Sequence, residues 1–309
     1  VHPGLLGSSR QFELDYPAEP EKLKILHALL TGPVRGRPPV LLRRMKDDCL
    51  ADLPAKHVRT LPMPMPSRQA QAYDQVILRA MAVQGSGERG RMLEVLNQLR
   101  GVSLHPLGPE AAGSDANYFT DSARIATLFM LLQEISAKQE KALVFCESLA
   151  MQALLAAEIA RRFALSHAVI RIHGGVAGKA RQAAVDQFQN RGPGFDVMIL
   201  SPKAGGVGLT LTAANHVIHL SRWWNPAVED QATDRAYRIG QDRDVTVYLP
   251  QSVHPDPSIA PYSFDLKLHA LMERKRTLSR GLLAPAEEDG DASTLFDSVL
   301  GSGEQAEDL

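Results

Sequence analysis

The sequence predicts an α/β fold: a parallel sheet with helices on both faces, extended by an N-terminal helical protrusion and a C-terminal brace helix. Between about residues 121 and 250, short apolar, β-branched runs recur at Ala142–Phe145, Ala168–Ile172, Asp196–Ser201, His216–Leu220 and Val245–Leu249. Helical patterns lie between most of them, as at Ser148–Phe163 and Gly178–Gln189, which is the rhythm of βαβ units. A glycine run, Gly205-Gly206-Val207-Gly208, follows the third apolar stretch. Ligands of such sheets bind there, beyond the carboxyl ends of the strands.

The flanking regions divide by composition. Residues 1–66 are rich in Pro and Gly and carry one helical stretch, Glu19–Leu30; the prolines at 62, 64 and 66 are expected to stop regular structure. Residues 67–120 form a helical protrusion and loop. Two helices, Ser67–Met81 and Gly90–Leu104, are split by Gly85-Ser86-Gly87, with Ser67 placed as an N-cap. The stretch 106–120 reads as a polar, Gly-rich loop. Residues 251–285 hold the brace helix, about Ser263–Arg280, with Phe264, Leu268, Leu271 and Leu278 on one stripe and a basic opposite side. Residues 286–309 carry eight acids and no Lys or Arg, so a disordered acidic tail is expected.

That tail hides the charge of the body. The net charge is −1 over 309 residues, but residues 1–285 hold 34 basic and 27 acidic groups, or +7. A modestly basic body suits a nucleic-acid partner, although many surfaces carry such an imbalance. The apolar fraction of 44% supports a packed core, and no run is long enough to span a membrane. Cys49 and Cys146 are far apart, which argues against a disulfide framework or a zinc site and for a reducing cytosol. No metal ligand set is expected on this chain.

The most informative stretch is Gln231–Gln241, Q-A-T-D-R-A-Y-R-I-G-Q. On a helix, Gln231, Arg235 and Arg238 fall at i, i+4 and i+7 and leave from one face. Two guanidiniums side by side repel unless an anion lies between them, and their planar forks fit phosphate oxygens. Gly240 is expected to end that helix. The competing account is a solvated helix end whose arginines pair with Glu229, Asp230 and Asp234. The glycine run admits two accounts as well. It is an ordinary strand-to-helix turn, or a loop whose amides approach a charged group closely.

Here the chain resembles the Swi/Snf-type ATP-dependent DNA translocases of helicase superfamily II. Gln231–Gln241 is similar to that family's sixth motif. Ser201–Pro226, S-P-K-A-G-G-V-G-L-T-L-T-A-A-N-H-V-I-H-L-S-R-W-W-N-P, is similar to its fifth motif joined to its W-N-P signature. Lys141–Phe145 resembles the fourth motif, and His173-Gly174-Gly175 with Arg181 and Phe188 matches further family positions. Leu41–Lys46 with Leu53–Lys56 resembles the linker between the family's lobes. The departures are Thr210 in place of the common Asn, Ser221 in place of Asp, and Ser201-Pro202 in place of Ser-Thr. Divergence after Leu249 suggests a bacterial-type subgroup.

The resemblance implies the second of two RecA-like lobes. It casts Arg235 and Arg238 as arginine fingers and Gln231, Gly206 and Gly208 as nucleotide contacts. Lys203, Gly205, His173, Gly174, Lys179 and Trp224 become contacts to double-stranded DNA, while Arg181 anchors its helix. For Trp223-Trp224, packing competes with a role in DNA coupling. ATP and Mg²⁺ are the implied cofactors, held mainly by the N-terminal RecA-like lobe. No G-x-x-x-x-G-K-[ST] loop and no D-E-x-H pair is present, so the chain alone is not expected to hydrolyse ATP. Val1 is expected to fall within the helical region between the lobes of a longer enzyme, acting in the bacterial cytosol or nucleoid. A strand-separating helicase is disfavoured, because those branches carry G-R-x-x-R where this chain has D-R-x-x-R. A non-catalytic DNA-binding or interaction module stays open.

Overall fold

The computed structural model describes residues 5–17, 20–33, 39–41, 53–83, 89–203, 208–281 and 291–301. Two compact units divide the chain: Val1–Asp52 with Glu273–Glu288, and Leu53–Met272 with Asp289–Leu309. The boundaries expected at 66, 120 and 250 fall inside the second unit.

In the first unit, α1 (Ser9–Asp15) starts where the Ser8 hydroxyl accepts the Gln11 N–H at 3.2 Å. One turn apart, Phe12 and Tyr16 bring their rings to 5.4 Å. Helix α2 (Pro20–Thr31) opens on a proline, whose missing N–H is no loss at that position. Most of the expected inter-lobe linker, residues 42–46, lies outside the described residues.

The second unit is built on one parallel sheet of β1 (Lys56–Pro64), β2 (Lys141–Phe145), β3 (Ile170–Ile172), β4 (Asp196–Leu200), β5 (His216–His219) and β6 (Val245–Val253). The strand order is β1-β6-β5-β2-β4-β3. After β2 the chain steps outward to β3, returns to β4 and then crosses to β5 on the other side of β2. The winding reverses at β2, so the crevice at its carboxyl end is where this topology accepts ligands.

Strand alternation explains the two cores. Ala142 and Val144 face one side with Val197 and Ile199, against Ile125, Leu128 and Leu132 of α5 (Ala123–Ala137) and Leu155 and Ile159 of α6 (Leu149–Arg162). Leu143 and Phe145 face the other side with Met198 and Leu200, against Val185 and Phe188 of α7 (Gly178–Asn190) and Ala232 of α8 (Pro226–Thr233). All five residues of β2 and of β4 are buried, as expected of parallel strands covered on both faces.

The prolines at 62 and 64 do not stop regular structure. They lie within β1, which pairs with β6 alone at the edge of the sheet. An edge strand has one side free of ladder bonds, and a residue without an N–H is tolerated there. Helix α3 (Ser67–Val83) is already helical at Ser67. The Pro66 carbonyl accepts the Ala70 N–H at 2.9 Å, so the cap falls one residue earlier than expected. Helix α4 (Arg89–Leu104) follows, and the stretch expected as a loop contains a short 3₁₀ turn, Pro109–Gly113.

A third core joins Tyr73 of α3 and Leu96 and Leu99 of α4 to Phe264, Leu268 and Met272, which open α9 (Phe264–Gly281). The side chain of Leu278, placed on the same stripe by sequence, lies outside the described residues. The acidic tail is not wholly without structure. Asp291–Val299 forms α10, which buries Leu295, Phe296 and Val299 in this third core. Three apolar residues on one helical face outweigh the acidic composition; residues 282–290 and 302–309 lie outside the described residues.

A buried ion pair locks the sheet to α9. Arg124 Nε donates to Asp265 Oδ2 at 2.7 Å and Nη2 to Oδ1, while Nη1 donates to the Leu220 carbonyl at 3.0 Å. Asp265 Oδ2 also accepts the Ser252 N–H at 2.7 Å. Charges this deep persist only when so fully satisfied, and the arrangement fixes the exits of β5 and β6.

Candidate functional site

Each candidate among the described residues lies at or beyond the carboxyl ends of the strands. Ser148 caps α6, accepting the Met151 N–H at 3.2 Å. Gln152, one turn in, donates from Nε2 to the Cys146 carbonyl at 2.7 Å and to Ser201 Oγ at 2.8 Å. The Ser201 N–H donates to the Ile172 carbonyl at 2.9 Å. The loop leaving β4 is therefore pinned at its root from two sides. Sequence reasoning missed Gln152, because an internal glutamine on an apolar helix carries no motif.

Pro202 and Lys203 continue this loop. Gly205 and Gly206, expected to touch DNA and nucleotide, lie outside the described residues. Gly208 has φ +65°, a left-handed angle that glycine adopts without strain. Nothing lies within 4 Å of where a Cβ would stand, so the need at this position is one of backbone angle.

The expected one-faced helix carrying Gln231, Arg235 and Arg238 does not form. Helix α8 begins at Pro226, with the Asn225 side chain accepting the Ala227 N–H at 2.9 Å, and ends at Thr233. The Arg235 carbonyl instead accepts the Leu211 N–H at 2.8 Å, so it is diverted from the helical ladder to the loop opposite. Tight turns follow, in which the Tyr237 N–H donates to the Thr233 carbonyl at 3.1 Å and that of Arg238 to the Ala236 carbonyl at 3.1 Å. Gly240, expected to end the helix, has φ +95° and closes these turns instead. The next residue, Gln241, is buried; its Nε2 donates to the carbonyls of Ala214 at 2.9 Å and Thr212 and Ala236 at 3.1 Å. It braces the whole segment, a role hidden in the sequence.

The two arginines still converge. Arg235 is only 6% exposed, with its guanidinium 5.6 Å from the Phe145 ring centre. Its Nη2 lies 3.4 Å from the Pro202 carbonyl, and its Nη1 is buried without a partner. Burial, and secondarily the nearby Arg181 charge, lowers its pKa to about 10, which leaves it cationic at neutral pH. Arg238 is exposed, with Nη1 3.4 Å from the Gly208 carbonyl. The pair thus grips the two ends of one loop, at Pro202 and at Gly208. Both bonds are near the limit of hydrogen-bond length, so an anion oxygen could replace either carbonyl. Gln231 is exposed on α8. Of the three acids that could have neutralised the arginines, Glu229 is committed to Arg222, which it holds through two bonds of 2.9 Å.

On the neighbouring strand end, His173 Nδ1 accepts the Gly175 N–H at 3.2 Å and its carbonyl accepts the Val176 N–H at 3.0 Å. Gly174 and Lys179 are exposed on this turn and the first turn of α7. The N-cap of that helix, Ala177, offers no side-chain cap, which leaves its first amides open to an anion. Arg181 donates to the Val176 carbonyl at 2.9 Å and anchors the turn.

The tryptophans separate. Trp224 packs edge-on against Phe264, centres 6.3 Å apart, within the third core. Trp223 instead meets the loop: Lys203 Nζ lies 3.9 Å from its ring centre and the Arg100 guanidinium 5.0 Å. Arg100 pairs with Glu147. Glu147 and Glu229 are both tied to arginines, and among the described residues no three His, Cys, Asp or Glu side chains group so as to hold a metal ion.

Comparison with known proteins agrees with this geometry. Residues 124–240 match the family model described as helicase conserved C-terminal domain. The chain is 34% identical to Zorya protein ZorD of Escherichia coli, over 97% of its own length and 28% of that protein's. It is 32% identical to the putative ATP-dependent helicase/translocase YwqA of Bacillus subtilis, over 90% of the chain and 30% of that protein. The chain thus spans under a third of these relatives. The structure superimposes on the SWI2/SNF2 ATPase core of Sulfolobus solfataricus, solved in complex with dsDNA, with a TM-score of 0.62. That match is 27% identical and covers 97% of this chain and 61% of that one. The six-stranded parallel sheet and the matched domain define a RecA-like helicase lobe. The chain belongs to the Swi/Snf family and carries its C-terminal helicase domain. Among the described residues, no helix is long and apolar enough to cross a membrane.

Proposed function

We propose that this chain is the second lobe of a motor that hydrolyses ATP as it moves along double-stranded DNA. A first RecA-like lobe of the same polypeptide holds the triphosphate and Mg²⁺. The observation that carries this reading is the loop gripped at both ends. Arg238 reaches the Gly208 carbonyl and Arg235 the Pro202 carbonyl, each at 3.4 Å. A γ-phosphoryl group entering from the facing lobe competes for these guanidiniums, Arg238 first because it is exposed. As the grip changes, so does the loop that carries Lys203. Nucleotide state and DNA contact are thereby linked through Pro202–Gly208.

On the DNA side, Lys203, the glycine amides, the His173–Gly175 turn and the open start of α7 with Lys179 contact the phosphate backbone. Such contacts are sequence-tolerant and weaken with salt. Gln231 orients the nucleotide face. Trp224 acts through packing on Phe264 and not by touching DNA. Two cysteines as far apart in sequence as Cys49 and Cys146 suit a reducing cytosol or nucleoid, a placement that cell fractionation checks.

The deciding experiment measures ATP hydrolysis, with and without duplex DNA, by this chain, by the longer protein that contains it, and by that protein with Arg238→Ala. The expected pattern is an inert chain, a DNA-stimulated longer protein and a variant slowed about 10³-fold or more. Turnover by the chain alone would refute the division of labour. A longer protein indifferent to DNA would favour the non-catalytic module.

A further inference from the structure

Lys203 opens the gripped loop, yet a lysine on a four-carbon stem has no fixed direction of its own. The ring it rests on is held firmly. Arg222, on one side of Trp223, is buried, bonded twice to Glu229 and once to His269, and its carbonyl accepts from Arg100 at 3.3 Å. Trp224, on the other side, is packed on Phe264. The Trp223 ring is partly exposed between these two anchors, with Lys203 Nζ 3.9 Å from its centre. That is well inside the range of a cation–π contact. Arg100 of α4 lies on the same ring at 5.0 Å and ties it to Glu147, just past β2.

We propose that Trp223 is a positioning residue for Lys203. The fixed indole holds the ammonium at the root of the loop, aimed for a backbone phosphate, and passes the loop's position to α4 through Arg100. This rests on the DNA reading of Lys203 given above. Trp223 touches neither DNA nor nucleotide. When a phosphate draws Lys203 away, the indole loses a cation and its environment changes.

The chain has two tryptophans, so Trp224→Phe leaves Trp223 as the sole emitter. In that background, Lys203→Met should change the emission of the free protein, and duplex DNA should cause a shift that Lys203→Met removes. Affinity for a labelled duplex, read by fluorescence anisotropy with Trp224 intact, supplies the second arm. Trp223→Leu keeps apolar bulk but loses the π face and should weaken binding about three- to tenfold, whereas Trp223→Phe should retain most of it. Trp223→Leu combined with Lys203→Met should be no weaker than Lys203→Met alone, since both remove one interaction. Additive losses, or wild-type affinity in Trp223→Leu while Lys203→Met weakens binding, would overturn the positioning role and leave the DNA reading intact. Emission blind to Lys203→Met would overturn the contact itself, even if Trp223→Leu failed to fold. No duplex binding by the unsubstituted chain would overturn both readings.

Discussion

The inner strands and the rim at their carboxyl ends are built by different forces. In β2 and β4 all residues are buried and each side chain finds its face by simple alternation. On the rim, position is set by single backbone or amide bonds over long sequence separations: Arg235 to Leu211, Gln152 to Ser201, Gln241 to Ala214. The interior is redundant, and many contacts share each burden. The rim is specific, and a few directed bonds from one side chain hold each segment. Substitutions should therefore separate, with interior changes reading out in stability and changes at exposed rim residues in function.

The largest effect should come from Arg238→Ala in the longer protein. A guanidinium that stabilises the transferring phosphoryl group is worth about 10³–10⁵ in rate. Because Arg238 is exposed, with one 3.4 Å bond, its loss should leave the melting temperature almost unchanged. Arg235→Ala should lower both turnover and stability, since it empties space beside Phe145 and frees the Pro202 end of the loop. Equal stability losses for the two would erase the distinction drawn between them. Leu143→Ala sits at the other pole. Leu143 is fully buried in the second core, so truncation should cost about 2–5 kcal/mol in urea denaturation. At low urea, the surviving folded protein should bind duplex with unchanged affinity.

The same contrast explains what could be read from sequence. Lys141–Phe145 and Asp196–Leu200 were legible because burial on both faces demands an unbroken apolar run. β1 was not, because Pro62 and Pro64 signal a break unless one knows that the strand lies on an edge. α10 was masked by acids around the small stripe of Leu295, Phe296 and Val299. At the site, the pairing of Arg235 and Arg238 was legible as spacing, but the helix meant to carry them was not real. Its end at Thr233 depends on Leu211, more than twenty residues earlier, and no local pattern records that bond. Gln152, Gln241 and Arg100 were invisible for the same reason. The W-N-P signature singled out Trp224 for DNA, whereas packing sets Trp224 on Phe264 and leaves Trp223 beside Lys203.

Gly208 offers a smaller test, confined to backbone angle. An alanine there meets no neighbour but must adopt φ +65°, at a cost of about 1 kcal/mol. Gly208→Ala should lower the urea midpoint modestly, and Gly208→Asn, more tolerant of that region, should recover much of the loss. If the two variants behave alike, the glycine is kept for close approach of a ligand and not for its angle.

The smallest effect concerns a polar group that behaves as interior. His105 is 5% exposed and stacks on Tyr118 at 3.8 Å. Its Nε2 lies 2.7 Å from the Tyr118 carbonyl and its Nδ1 accepts the Leu107 N–H at 2.9 Å, which suits the neutral ring. Burial pushes its pKa below the ordinary 6.5, against the opposing pull of the Tyr118 and Leu107 carbonyls. His216 is lowered as well, by burial that outweighs its Glu140 partner. A lowered folded pKa means that the folded chain binds fewer protons than the unfolded one below 6.5. Stability is then complete above that value and falls as the pH drops through the window beneath it. Unfolding free energies from urea denaturation at about pH 7.5 and about pH 5.5 should differ less in His105→Gln than in the unsubstituted chain, by roughly 1 kcal/mol or less. A variant with an undiminished pH drop would place the loss in His216 and the acids. His105 would then be a neutral core residue in packing alone, with no separate hold on the fold.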